Sequence, residues 1–140
     1  MGFSLFVRAA GIAVLLACVL PVSPGHTDGV RPDVTLLPVP AGATRDQLVL
    51  GERVFHGEAA NGKCFECHGR DAKGTANGND FTVGSLIWGD SLTMIKQMLR
   101  HNMEVAPGRD GDLTDADVDA VAVYVWALVH QERLRRQAPN

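Results

Sequence analysis

The chain has 140 residues, room for one domain plus a targeting segment. Its formal charge is −3, from 13 basic and 16 acidic residues with no basic stripe, which argues against nucleic acid as a partner. The three cysteines are an odd set, so they cannot all be paired as a disulfide framework.

Residues 1–25 have the layout of an export signal. Arg8 is the one charged residue, Ala9 to Leu20 is an apolar run, and Pro21, Pro24 and Gly25 break it. Such a run suits a signal-peptide core of roughly 7–15 residues and is short for a bilayer span. An uncleaved N-terminal anchor is the alternative. Leu15-Leu16-Ala17-Cys18 also resembles a lipoprotein box, which would make Cys18 a lipidation site, although Leu16 fits its second position poorly. Removing residues 1–25 leaves 12 basic and 16 acidic residues, a charge of −4. A periplasmic location is expected on this basis.

Residues 26–43 are rich in turn formers, with Pro32, Pro38, Pro40, Gly29 and Gly42. They read as an extended lead-in without a helix, either wrapping the domain through Leu36 and Leu37 or acting as a tether. The domain proper is expected over 44–137. Thr44 is a fitting N-cap for a first helix to about His56, with Leu48, Gly51 and Phe55 on one face. A glycine inside a helix costs about 1 kcal/mol relative to alanine. Close approach of a second helix at Gly51 would justify that cost; otherwise Gly51 ends a short helix.

Cys64-Phe65-Glu66-Cys67-His68 follows, a C-x-x-C-H motif. The two thiols can each add to one vinyl group of a single haem, and His68 then lies where its imidazole reaches the iron. A zinc site would need a second ligand pair, and the remaining cysteine is Cys18. A redox dithiol would call for a βαβ pattern, which is not visible. One covalently attached haem c is therefore the expected cofactor. No structural disulfide is expected in the mature domain.

Gly69 to Gly89 is a glycine-rich loop. Trp88 is its candidate anchor, either donating its indole N–H to a haem propionate or serving as core. Asp90 or Ser91 caps a helix to about His101, with Leu92, Ile95 and Leu99 on its apolar face. Asn102 to Gly111 is expected to be loop, containing Met103. Thr114-Asp115-Ala116-Asp117 is a capping box for a last helix carrying Val118, Val121, Val125, Leu128 and Val129. That helix ends among Arg133, Arg135 and Arg136, which suit its negative end.

Together these elements resemble a class I cytochrome c, over roughly Leu37 to His130. Leu37-Pro38-x-Pro40-x-Gly42-x-Thr44, Phe55-His56-Gly57 and Tyr124-Val125-Trp126-Ala127-Leu128 resemble the small exported bacterial members. The resemblance implies an all-α fold, three to four helices around one covalently bound haem, with Gly51 and Phe55 packed against the Tyr124 region. It also implies His68 and Met103 as iron ligands. Two departures stand out. Where the family carries Gly-Pro-x-Leu, this chain has Gly78-Asn79-Asp80-Phe81, so a carbonyl at Asn79 would accept the His68 N–H without the stiffness of proline. Met103 is not followed directly by proline, and Met98, His101 or an open sixth site are the alternatives.

The expected function is one-electron transfer by a carrier that is not itself an enzyme, or by the cytochrome subunit of a larger oxidoreductase. Its partners would be a dehydrogenase donor and an oxidase or cytochrome acceptor. Asp110, Asp112, Asp115 and Asp117 offer them an acidic patch, or are simply a solvated loop and cap. The competing reading is a haem protein with an open sixth site that binds small ligands.

Overall fold

In the computed structural model, residues 1–2, 29–105, 107–108 and 111–137 are described, with 133–137 as backbone only. The export signal or anchor, Cys18 and Asp110 lie outside the described residues, as do the Arg133, Arg135 and Arg136 side chains.

The fold is all-α. Among the described residues four α-helices follow in order: α1 (Arg45–Phe55), α2 (Cys64–His68), α3 (Leu92–Val105) and α4 (Asp115–Gln137). Among the described residues, none is long and apolar enough to cross a membrane.

Helix α1 begins where its sequence provides a complete cap. The Thr44 hydroxyl accepts the Gln47 N–H, and the Gln47 side chain returns to the Thr44 N–H. Its buried face, with Leu48, Gly51, Val54 and Phe55, crosses α4. A Cβ on Gly51 would overlap the carbonyl oxygen of Ala120, so glycine is what lets the two backbones meet. One turn later Phe55 packs edge-on to Tyr124, ring centroids 5.3 Å apart.

Helix α4 carries the capping box read from its sequence. Asp117 accepts from the Thr114 N–H and hydroxyl, and the Asp117 N–H returns to the Thr114 oxygen. Val118, Val121, Val125, Leu128 and Val129 are all buried. The chain's longest helix thus forms the spine on which α1 and α3 lean. Ser91 is the residue that caps α3, its hydroxyl accepting the Met94 N–H.

The lead-in wraps the domain. Leu37 is buried in the same cluster as Leu48, Tyr124 and Leu128, whereas Leu36 is 74% exposed. The Arg45 guanidinium donates to the carbonyls of Val34 and Leu37, and Arg31 pairs with Glu52 and Glu58 of α1 and the turn after it. One correction concerns its conformation. Val34–Leu36 form a single 3-10 turn, because the Asp33 side chain accepts from the Thr35 N–H and starts the turn locally.

A second correction concerns α3, which runs to Val105 rather than stopping near His101. Met103 therefore sits in the last turn of a helix, not in a loop. The segment Asn102 to Val105 lacks a helix breaker, and Pro107 and Gly108 lie beyond it.

Candidate functional site

The C-x-x-C-H motif is itself a helix, which the sequence reading did not anticipate. It ends at Gly69, whose φ of 77° no side-chain-bearing residue adopts cheaply. Helical spacing puts Cys64 and Cys67 three residues apart on one face, with His68 one turn after Cys64. All three line a cavity of about 390 Å³. That volume lies within the roughly 300–1,000 Å³ typical of small-molecule and cofactor pockets.

The cavity walls come from every helix. Phe55 belongs to α1, Leu99 and Met103 to α3, Val118, Val121 and Val125 to α4, and Phe81 to the glycine-rich loop. Polar groups are few, with Lys63, Glu66, Asn77, Asn79 and Asn102 joining His68. Of the sulfur and nitrogen candidates on α3, Met103 lines the cavity, while Met98 and His101 do not.

His68 is held by the loop that follows it. Its Nδ1 lies 2.8 Å from the Asn79 carbonyl oxygen. A carbonyl only accepts, so the proton must be on Nδ1, and Nε2 then carries the lone pair that a metal requires. The loop reaches this position because Gly78 has no side chain. A Cβ there would lie 2.5 Å from the Cys67 carbonyl oxygen and 2.9 Å from His68 Nδ1. Thr75 tightens the same loop, its hydroxyl donating to the Cys67 carbonyl at 2.5 Å.

Phe81 was not singled out in the sequence, yet it stacks on the His68 ring with centroids 4.2 Å apart and planes 24° from parallel. An aromatic two residues after the accepting carbonyl was the available signal. Trp88 is 57% exposed, which sets aside the core alternative, and it does not line the cavity. The turn of Leu86 to Gly89, closed by a 3.1 Å hydrogen bond and by φ +98° at Gly89, leaves Ile87 and Trp88 at the surface.

Behind Phe55, away from the cavity wall, His56 is 4% exposed and its Nε2 lies 3.3 Å from the Tyr124 hydroxyl. Burial, helped by the nearby Arg31 and Arg70 cations, pushes the His56 pKa down to about 4. Burial also raises that of Tyr124, with Glu52 adding to the effect. The acidic run is engaged locally. Asp117 caps α4, Asp115 faces Arg100 at 3.5 Å, and Asp112 accepts from Asn61 at 3.5 Å. That favours the solvated cap over a dedicated patch.

Two thiols, an imidazole with a defined tautomer and a thioether thus share one largely apolar cavity. The donor set fits a haem: thiols for its vinyl groups, and nitrogen and sulfur for its iron.

Comparison with known proteins gives one partial likeness. Over 68 residues the chain is 34% identical to the cbb3-type cytochrome c oxidase subunit CcoP of Cereibacter sphaeroides. The match covers 46% of this chain and 23% of that subunit, so the chain spans about a quarter of the relative's length. No protein-family model matches the chain. No solved structure matches it either.

Proposed function

We propose that this protein is a monohaem c-type cytochrome that passes single electrons between redox partners outside the cytoplasm. The observation that carries the proposal is the cavity shared by Cys64, Cys67, His68 and Met103. Its likeness to part of an oxidase subunit supports a haem electron-transfer role.

Cys64 and Cys67 hold the cofactor through two thioether bonds, so it cannot dissociate. His68 offers Nε2 to the iron, and its hydrogen bond to Asn79 strengthens it as a ligand. Met103, on the cavity wall, would supply a thioether ligand to the iron. A thioether raises the reduction potential relative to a second imidazole. The group these residues would hold supplies one-electron chemistry. Phe55, Leu99, Val121 and Val125 keep water from the iron, and the close α1–α4 crossing keeps these walls in place. Rigid walls limit reorganisation between oxidation states.

The partners in this reading are a dehydrogenase donor and an oxidase or cytochrome acceptor. The protein is a shuttle, or the small cytochrome subunit of a larger oxidoreductase. Export through residues 1–25 agrees with it, whether by a cleaved signal, a retained anchor or lipidation at Cys18.

The test is expression together with a haem-maturation system, followed by intact mass and potentiometric titration. The expected result is one haem retained under denaturing conditions and a reversible one-electron titration. Cys64→Ala together with Cys67→Ala should lose the covalent haem. A dithiol–disulfide couple without haem would overturn the reading.

A further inference from the structure

We propose that Phe81 is a positioning residue that sets the rotation of the His68 imidazole about its bond to the iron. This rests on His68 being the iron ligand, as proposed above. Beside a more distant contact with Phe55, at 6.3 Å and 44°, the ring has a hydrogen bond and a stacked neighbour among its restraints. The Asn79 carbonyl holds Nδ1 at 2.8 Å, which fixes one edge of the ring but acts as a pivot about that edge. Phe81 covers a face, at 4.2 Å and 24°. A face contact removes the rocking motion that a single hydrogen bond permits.

Phe81 is itself fixed from three directions. Its N–H donates to the carbonyl of Ala72 at 2.9 Å, and Ala72 is fully buried at φ +59°. Asp80, just before it, accepts from the Thr82 N–H at 2.6 Å and the Thr82 hydroxyl at 2.7 Å, which locks the local turn. Phe55 meets the Phe81 ring nearly edge-on, centroids 6.3 Å apart. This turn therefore provides, through side-chain contacts, the rigidity that a proline at position 79 would give through its ring.

The orientation of an axial imidazole plane governs how its π orbital overlaps the iron d orbitals. In the oxidised low-spin state, the proton shifts of the haem methyl groups report that orientation directly. The experiment compares these shifts in the holoprotein for wild type, Phe81→Leu, Phe81→Tyr and Val129→Ala. Val129 is buried on α4 but does not line the cavity, so Val129→Ala shows what loosening the core alone does to the shifts.

The expected result is a changed order or spread of methyl shifts in Phe81→Leu, with the wild-type pattern kept in Phe81→Tyr and in Val129→Ala. The idea fails if Phe81→Leu keeps the wild-type pattern, or if Val129→Ala reproduces the change. It fails together with the ligand assignment if His68→Ala retains the wild-type low-spin spectrum, and that outcome is separable from the other two.

Discussion

A single missing side chain decides how His68 is presented. Gly78 has an ordinary backbone conformation, so its role is space: any Cβ would press on the Cys67 carbonyl and on His68 Nδ1. Gly78→Ala is expected to cost about 1–3 kcal/mol by overpacking. It should also break the His68–Asn79 hydrogen bond, detectable as a lowered midpoint in chemical denaturation together with an altered haem spectrum. His56 makes a prediction of its own. Its folded pKa of about 4 lies below the ordinary 6.5, so the unfolded chain takes up its proton first on acidification. The contribution of neutral His56 is complete above pH 6.5 and declines as pH falls toward 4. Its full extent is roughly 3 kcal/mol at 1.36 kcal/mol per pKa unit. His56→Gln, which keeps a group able to bond Tyr124, should flatten the denaturation midpoint between pH 6.5 and 4. An unchanged slope in that variant would remove His56 as the cause.

At the scale of elements, the α1–α4 crossing holds the site together. Gly51→Ala would normally gain up to about 1 kcal/mol in helix propensity. Here its methyl meets Ala120 backbone, which cannot move aside as a side chain would. The variant is expected to lose about 1–3 kcal/mol despite the propensity gain, measured by thermal or chemical unfolding. If it proves as stable as wild type, the helices are not in contact at this point. This crossing was legible in the sequence as one of two readings, because a glycine one turn before Phe55 either met another backbone or ended a short helix. The caps at Thr44 and Thr114 were legible for the same kind of reason, since capping is local chemistry. The end of α3 was not: Asn102 to Val105 carries no stop signal, and reading that segment as loop is what singled out Met103 among the ligand candidates. The helix of Cys64–His68 was hidden by its shortness, since five residues give no periodicity to read. The stacking of Phe81 on His68 joins positions 13 apart, and its sole trace in the sequence is an aromatic two residues after the accepting carbonyl.

For the whole molecule, the lead-in belongs to the folded unit. Arg31, Leu37 and the Arg45 bonds to Val34 and Leu37 tie it to α1, so a domain begun at residue 44 would remove Leu37 from the buried cluster that holds Leu48 and Leu128. Leu37→Ala is expected to cost about 2–5 kcal/mol, the usual range for a buried leucine. Little or no loss of stability in that variant would mean that the lead-in is a tether after all. The sequence could name Leu36 and Leu37 as wrapping candidates but not choose between them. The choice depends on the 3-10 turn begun by Asp33, after which Leu37 is buried and Leu36 is left exposed. Of the two roles weighed for Trp88, core is the one that its place in a tight turn excludes, since the indole is left 57% exposed.

In the proposed function His68 and Met103 would both hold the iron of one covalently attached haem. The most direct measurement is the oxidised absorption spectrum at long wavelength, for wild type and Met103→Ala. A weak iron–sulfur charge-transfer band is expected in wild type and absent in the variant. The reduced variant, unlike wild type, should then take up carbon monoxide readily. A wild-type protein that lacks the band and binds carbon monoxide as readily as the variant would contradict the claim, and would make this a haem protein built to bind small ligands.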